Sequence, residues 1–320
     1  MGKHMGRHLI SIGDLADHDL RHIVGQGVRF AEGSADPRGL LDGAVVGVYF
    51  RKTSTRTRTA FSSGALRLGA RLITYGPDDL QLNTGETVAD TGRVLGRMLD
   101  VLVARTAGAE QELREFAQPG GMGVVNAMSA LEHPTQALAD LTTLTQRFGA
   151  VDGLRVLYVG EGNNTCTALA LALSRFSGVH FEARTPPGYG MPESITAAAR
   201  AQAARTGSTV VERHDVADLP PDCHVIYTTR WQTTGTSKPD PHWRQAFEPY
   251  RVHRGLWRDS PDAVFMHDLP AHRGEEVTAE VLDGPRSIAF DQAANKMTSA
   301  MAVLRWCAAG AASELAGVTG

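Results

Sequence analysis

Residues 44–61 read AVVGVYFRKTSTRTRTAF, and the passage from the first half of this stretch to the second decides the fold. Ala44 to Phe50 is an apolar run of strand length. From Arg56 onward alanine and leucine recur at helical spacing. A strand that hands over directly to a helix is the first part of a strand–helix–strand crossover, the unit of parallel α/β sheets. In such sheets ligands sit beyond the carboxyl ends of the strands, where the next helices begin. A helix N-terminus there offers unpaired N–H groups and a partial positive charge. Ser54, Thr55 and Thr57 add hydroxyls, and Arg56 adds a planar fork suited to phosphate oxygens. Arg58 is expected to turn to another face and pair with a carboxylate of the scaffold. Without a ligand, the same stretch is a capped helix with a solvated basic first turn. Cations at that end oppose the helix dipole and cost stability until an anion arrives, which favours a phosphate cradle.

The same alternation runs along the chain. Strands are predicted at Ala44–Phe50, Arg71–Tyr75, Val101–Arg105 and Gly123–Asn126, with helices near Arg56–Leu68, Thr87–Met98, Glu110–Ala117 and Thr135–Arg147. The second half repeats the pattern. Its strands fall near Arg155–Gly160, His180–Ala183, Thr209–Glu212, His224–Thr228 and Ala263–His267, and its helices near Thr165–Phe176, Glu193–Thr206 and Gln292–Ala309. The expected class is α/β, with two doubly wound parallel-sheet domains joined by interdomain helices. A hinge is expected at the turn Gly149–Gly153 (GAVDG). It separates residues 1–150, with the terminal helix 292–320 packing back, from residues 151–291.

Composition narrows the function. With 320 residues, 42% hydrophobic and 21% charged, the chain is long enough for two ordinary domains with ample core. A formal net charge of −3 argues against a general partner in nucleic acid or anionic membrane. No apolar stretch approaches the ~20 residues needed to span a bilayer. The first residues, beginning MGKHM, have no signal-peptide pattern, so a cytoplasmic location is expected. Cys166, Cys223 and Cys307 are odd in number and far apart, which speaks against a disulfide framework. The 12 histidines form no metal-binding motif, and neither a metal nor a cofactor is expected.

Two further stretches sit at corresponding strand ends: Arg105 closes DVLVART, and His133-Pro134-Thr135-Gln136 opens the helix after GVVNAMSALE. Taken singly, Arg105 reads as a surface cation and His133 as a helix-entry residue. With the cradle, they converge on one edge of one sheet. STRTR after one strand, ART after another, HPTQALAD opening a helix and the late HDLPAHRGEEV, in this order, resemble the aspartate and ornithine carbamoyltransferase family. The resemblance runs from about Leu9 to the terminal helix. It implies a first domain for carbamoyl phosphate and a second for a small amino-bearing substrate. Ser54, Thr55, Arg56 and Thr57 would hold the phosphate, with Arg105 bridging phosphate and carbonyl. His133 and Gln136 would address the carbamoyl group, and Leu269 and Lys296 would complete that pocket. Arg105, His133 and Thr55 would carry the oxyanion of the addition step. The family is typically homotrimeric, with active sites at subunit interfaces completed by a neighbour's loop.

The second domain is a hybrid. Gly160-Glu161-Gly162-Asn163-Asn164 resembles the GDGNN turn of ornithine enzymes, which implies a substrate-carboxylate role for Asn164, with Asn163 next. Thr228-Thr229-Arg230-Trp231-Gln232 lacks the aspartate that ornithine enzymes use for the α-ammonium group, because Thr229 stands there. It resembles instead the TRxQ of aspartate enzymes, in which Arg230 and Gln232 would receive a carboxylate. In His267-Asp268-Leu269-Pro270, Asp268 replaces the cysteine of ornithine enzymes and the proline of aspartate enzymes. It would hold an ammonium group or accept its proton, or else serve as a turn aspartate. The loop Gln81–Glu86 lacks the lysine that relatives send to a neighbour, leaving Gln81 and Asn83 as weaker contacts. The chain's lysines are Lys3, Lys52, Lys238 and Lys296, and Lys296 stands where ornithine enzymes carry an arginine. These departures point to a specialised biosynthetic carbamoyl transfer outside standard ornithine metabolism.

Two other accounts compete. Gly160-x-Gly162 after a strand, with Glu182 downstream as a ribose-binding acid, suggests an NAD-dependent oxidoreductase, but the third glycine position is Thr165. A non-catalytic phosphate-binding homologue would suit the missing loop lysine and the altered Ala294-Asn295-Lys296.

Overall fold

The computed structural model describes residues 6–233 and 235–312, with side chains as far as residue 309. Met1 to Met5 (Lys3 among them), Thr234 and residues 313–320 of the expected terminal helix lie outside the described residues. The chain divides into two compact units. One runs to Thr142 and resumes at Asn295; the other is Thr143–Ala294.

In the first unit, β1 (Val45–Phe50), β2 (Arg71–Tyr75), β3 (Val101–Arg105) and β4 (Gly123–Asn126) form a parallel sheet in the order β2-β1-β3-β4. The helices are α1 (Asp17–Ala31), α2 (Arg56–Arg67), α3 (Val88–Leu95) and α4 (Glu110–Ala117), and α5 (Pro134–Phe148) begins here. Strands β1, β3 and β4 read as near-continuous apolar runs because both faces are covered. Leu102, Leu113, Phe116 and Val124 are wholly buried in one core, each contributing roughly 1.5–3 kcal/mol. Helix α1 was not expected from the sequence. Leu20, Ile23, Val24, Gly27 and Phe30 are its buried stripe, while Gly25 and Gly27 depress its propensity. Trp306 Nε1 donates to Asp19 Oδ1 at 2.8 Å and ties α1 to the last helix, α10 (Ala289–Ala312).

In the second unit, β5 (Arg155–Val159), β6 (His180–Arg184), β7 (Thr209–Arg213), β8 (Val225–Thr228) and β9 (Val264–His267) are parallel in the order β7-β6-β5-β8-β9. With them come α6 (Asn164–Leu173), α7 (Glu193–Thr206), and the short α8 (Trp243–Phe247) and α9 (Ala279–Leu282). Arg184 is fully buried. It is neutralised by Glu182 (2.5 Å) and Asp215 (2.7 Å) and fills its remaining donors with the carbonyls of Ala217 and Asp218.

The α/β class with two parallel sheets is as expected. The first unit boundary falls inside α5, a few residues before the GAVDG turn, and the second inside α10. Among the described residues, no helix is long and apolar enough to cross a membrane.

Candidate active site

Strand order places the two candidate regions. In the first sheet the chain goes one way from β1 to β2 and the other way to β3, so a crevice opens beyond the ends of β1 and β3. Phe50 and Arg105, the last residues of these strands, are in register, and the Arg51 N–H donates to the Arg105 carbonyl at 3.0 Å. The second sheet reverses in the same way between β5 and β8. The turns beyond these ends are Gly160–Asn164 and Thr229–Gln232, the two stretches singled out in the sequence.

In the first unit, Thr57, Ala60, Phe61, His133, Gln136 and Lys296 wall one cavity, together with Thr135. Arg105 is buried. Its Nη1 donates to Thr57 Oγ1 at 3.5 Å, so it joins the cavity through that hydroxyl. Arg56 opens α2 half-buried, outside the cavity wall, and Ser54 and Thr55 precede it. The Thr55 hydroxyl makes no capping bond to the helix. Arg58 is exposed and finds no carboxylate among the described residues, contrary to expectation.

His133 accepts, through its carbonyl, the N–H groups of Gln136 (2.9 Å) and Ala137, and so caps α5, with Pro134 following where its missing N–H costs nothing. Burial, then the cations Lys296 and Arg105, hold its imidazole well below the ordinary value, and the ring is neutral. Its Nδ1 lies 3.3 Å from Thr135 Oγ1. Gln136 donates from Nε2 to Asp140 at 2.7 Å, which leaves its buried Oε1 without a partner. An orphaned buried acceptor beside a neutral imidazole suits a ligand that brings N–H groups.

One residue here has no counterpart in the sequence reading. Glu132 is buried and accepts from Ser11 Oγ and the Ile12 N–H, both at 2.6 Å, fastening the N-terminal segment to the loop that carries His133. Burial outweighs these bonds and pushes its carboxyl up to about 7. The folded value exceeds the ordinary 4.5, so this contribution to stability is full below 4.5 and lost as pH rises through 7. Between pH 5 and pH 8 the parent is expected to lose about 2–3 kcal/mol relative to Glu132→Gln. His133, common to both proteins, cancels in the comparison. Urea denaturation at the two pH values measures the difference, and parallel slopes would refute it.

In the second unit, Asp268 is braced at both oxygens. Thr229 Oγ1 donates to Oδ1 at 2.9 Å and Thr165 Oγ1 to Oδ2 at 3.0 Å. His267 Nδ1 lies 3.4 Å from the carboxylate but already accepts the Leu269 N–H at 2.8 Å, so it offers Asp268 no proton. No lysine or arginine pairs with Asp268 among the described residues. Asp268 and Thr229, two of the expected acceptor residues, thus meet; Thr165 is an addition that the sequence showed only as a failed glycine position. Arg230 is half-buried, and its buried Nε has no partner.

Several candidates fall elsewhere. The side chain of Asn163 is committed to the fold: Oδ1 caps α6 at the Thr165 and Cys166 N–H groups, and Nδ2 donates to Thr233. Buried Asn164 follows it as the first residue of the helix. Gln232 turns back to the Thr236 carbonyl. Leu269 belongs to the second unit, not to the unit of the other expected phosphate residues. Gln81 and Asn83 are exposed on a short 3-10 turn, with Asn83 bonded to Asp78.

The dinucleotide reading loses its two supports. A Cβ on Gly162 would stand 2.3 Å from the Met191 nitrogen, so this glycine serves chain packing. Glu182 is spent on Arg184 and His180. Among the described residues, His272, Glu275 and Glu276 bring ligand-type atoms within 4.8 Å of one another, although Glu276 is already bonded to His267 and to the His272 N–H.

Comparison with known proteins also divides the chain in two, near the end of α5, although the second match runs on into the part of α10 that belongs to the first unit. Residues 7–146 match the carbamoyl-P binding domain of aspartate/ornithine carbamoyltransferase, and residues 152–307 match its Asp/Orn binding domain. The chain is 38% identical over 297 residues to an ornithine carbamoyltransferase of Gloeobacter violaceus, covering 92% of this chain and 94% of that protein. It is 39% identical over 313 residues to one from Methanoculleus marisnigri, covering 97% and 99%. The solved ornithine carbamoyltransferase of Pyrococcus furiosus superposes with a TM-score of 0.87 at 36% identity, covering 95% of this chain and 97% of that one.

Proposed function

Because the chain belongs to the aspartate/ornithine carbamoyltransferase family and is a carbamoyltransferase, we propose that it transfers the carbamoyl group to the amino group of an amino acid or related amine in a specialised biosynthetic reaction. The observation that carries the finer reading is the carboxylate of Asp268, braced by the Thr165 and Thr229 hydroxyls with no lysine or arginine paired to it among the described residues. A carboxylate so held awaits an amine.

In the proposed reaction the uncharged acceptor nitrogen attacks the carbamoyl carbon. The carbonyl electrons move to oxygen, and the bond from carbon to the phosphate oxygen then breaks. The nitrogen's proton leaves with phosphate or by way of Asp268, and the products are a ureido compound and inorganic phosphate. Arg105, Thr55 and the neutral His133 stabilise the oxyanion, and Gln136 Oε1 accepts from the carbamoyl NH₂. The start of α2, with Ser54, Arg56 and Thr57, receives the leaving phosphate, and Lys296 adds charge. Arg230 and Asn164 receive a carboxylate of the acceptor. Neither a metal nor a redox cofactor enters this scheme.

The test is incubation with carbamoyl phosphate and a panel of amines that includes L-ornithine and L-aspartate, read as ureido product by mass spectrometry and as released phosphate. The expected result is a best acceptor other than these two. Preference for L-ornithine would overturn the specialised assignment, and phosphate release without any ureido product would overturn transfer itself. The assembly is expected to be a homotrimer with active sites at subunit interfaces. Sedimentation equilibrium at three times the chain mass supports this, and a monomer refutes it.

A further inference from the structure

The segment after β8, residues 229–240, carries Arg230 and Gln232 without helix or strand among its described residues. Something other than backbone pairing must hold it, and Lys238 does so in an uncommon way. Its side chain is 5% exposed. The Nζ atom stands 5.1 Å from the ring centre of Tyr189 and 5.2 Å from those of both Trp243 and Phe247, and it pairs with the carboxylate of Glu161. Three ring faces and one carboxylate around a single ammonium are the elements of a cation-binding cage.

The cage stands apart from its occupant. Tyr189 comes from the turn after β6, and Trp243 and Phe247 come from α8. With Trp231 these rings form a small apolar cluster of their own, with Trp243 and Phe247 packed edge to face at 5.4 Å. Glu161 carries the connection onward. It accepts from Thr233 Oγ1 at 3.3 Å, that hydroxyl accepts from Asn163 Nδ2 at 2.9 Å, and Asn163 caps α6. The next residues of α6 include Thr165, which braces Asp268.

We propose that Tyr189, Trp243, Phe247 and Glu161 form a binding site for a primary alkylammonium ion, occupied in this protein by its own Lys238, and that this self-binding latches segment 229–240 in register with the start of α6. Lys238 is then a positioning residue for the side chains that meet the acceptor. That consequence rests on the function proposed above; the cage itself does not.

Lys238→Ala vacates the cage. Titrating the variant with n-butylammonium chloride is expected to give a saturable change in tryptophan fluorescence, absent with butan-1-ol and absent in the parent. Lys238→Met fills the cage with a neutral chain. Amide hydrogen exchange across 229–240 is expected to rise about tenfold in that variant and to return to the parent rate in Lys238→Arg. A folded Lys238→Ala protein that does not respond to butylammonium overturns the site, as does a parent that responds equally. If the alanine variant does not fold, exchange in Lys238→Met at the parent rate overturns the latch. Neither measurement uses carbamoyl phosphate, so failure of the cage and failure of the transfer reaction are seen separately.

Discussion

Arg105→Ala is expected to lower kcat by about a thousandfold, the loss typical of removing one well-aimed donor to a developing oxyanion. The side chain leaves the last residue of β3, is buried, donates to Thr57 and lies close enough to His133 to help keep that ring neutral. Alanine keeps the strand and the backbone bond from Arg51 to the residue 105 carbonyl, so the fold should survive. Lysine at this place restores a point charge without the planar fork and should recover only part of the rate. A second readout separates catalysis from packing. With one nearby cation gone, His133 should titrate closer to its ordinary value by NMR. A kcat within about tenfold of the parent would remove Arg105 from the assigned role.

Asp268→Asn is expected to cut kcat/KM for the best acceptor by about a hundredfold while the affinity for carbamoyl phosphate stays constant, because a hydrogen bond to a charged group is worth about 1.5–3 kcal/mol. Asparagine is close in shape. Its oxygen can accept from one threonine and its NH₂ can donate to the other, so the brace between Thr165 and Thr229 persists without the charge. The partition between the two substrates carries the meaning. Calorimetry with carbamoyl phosphate and steady-state kinetics in the acceptor give it directly, and equal losses on both sides would show a structural role instead.

Most of the framework was legible from residue pattern. Strands β3 and β4 lie where apolar runs predict them, because parallel strands buried on both faces leave little ambiguity. The largely exposed edge strand β2 and helices α4 and α7 also lie at their predicted positions. Helix α1 escaped, with Gly25 and Gly27 in its middle. The cavity was legible wherever it is local: His133 and Gln136 lie at the start of one helix and Thr57 in the first turn of another. What escaped is what tertiary packing assembles. Glu132 gains its meaning from Ser11 and Ile12, some 120 residues earlier in the chain. Thr165 and Asp268 are 103 positions apart. Lys238 stood in the sequence only as one of four lysines, with no role until rings from residues 189, 243 and 247 close around it. The role expected of Asn163 gave way to a cap, a use that the same side-chain chemistry predicts equally well.

The bond of Glu132 to the N-terminal segment gives the first unit a built-in order of events. Leu9 bridges to Val125 in the edge strand β4, and Ser11 and Ile12 close on Glu132 next to His133, so a segment that precedes all four strands is held by a loop that follows the last of them. Such long-range closures come late in folding, since loop entropy must be overcome first. During renaturation, therefore, helical signal should recover ahead of enzymatic turnover, and a nascent chain whose beginning is still detained elsewhere would carry every reacting group yet remain idle.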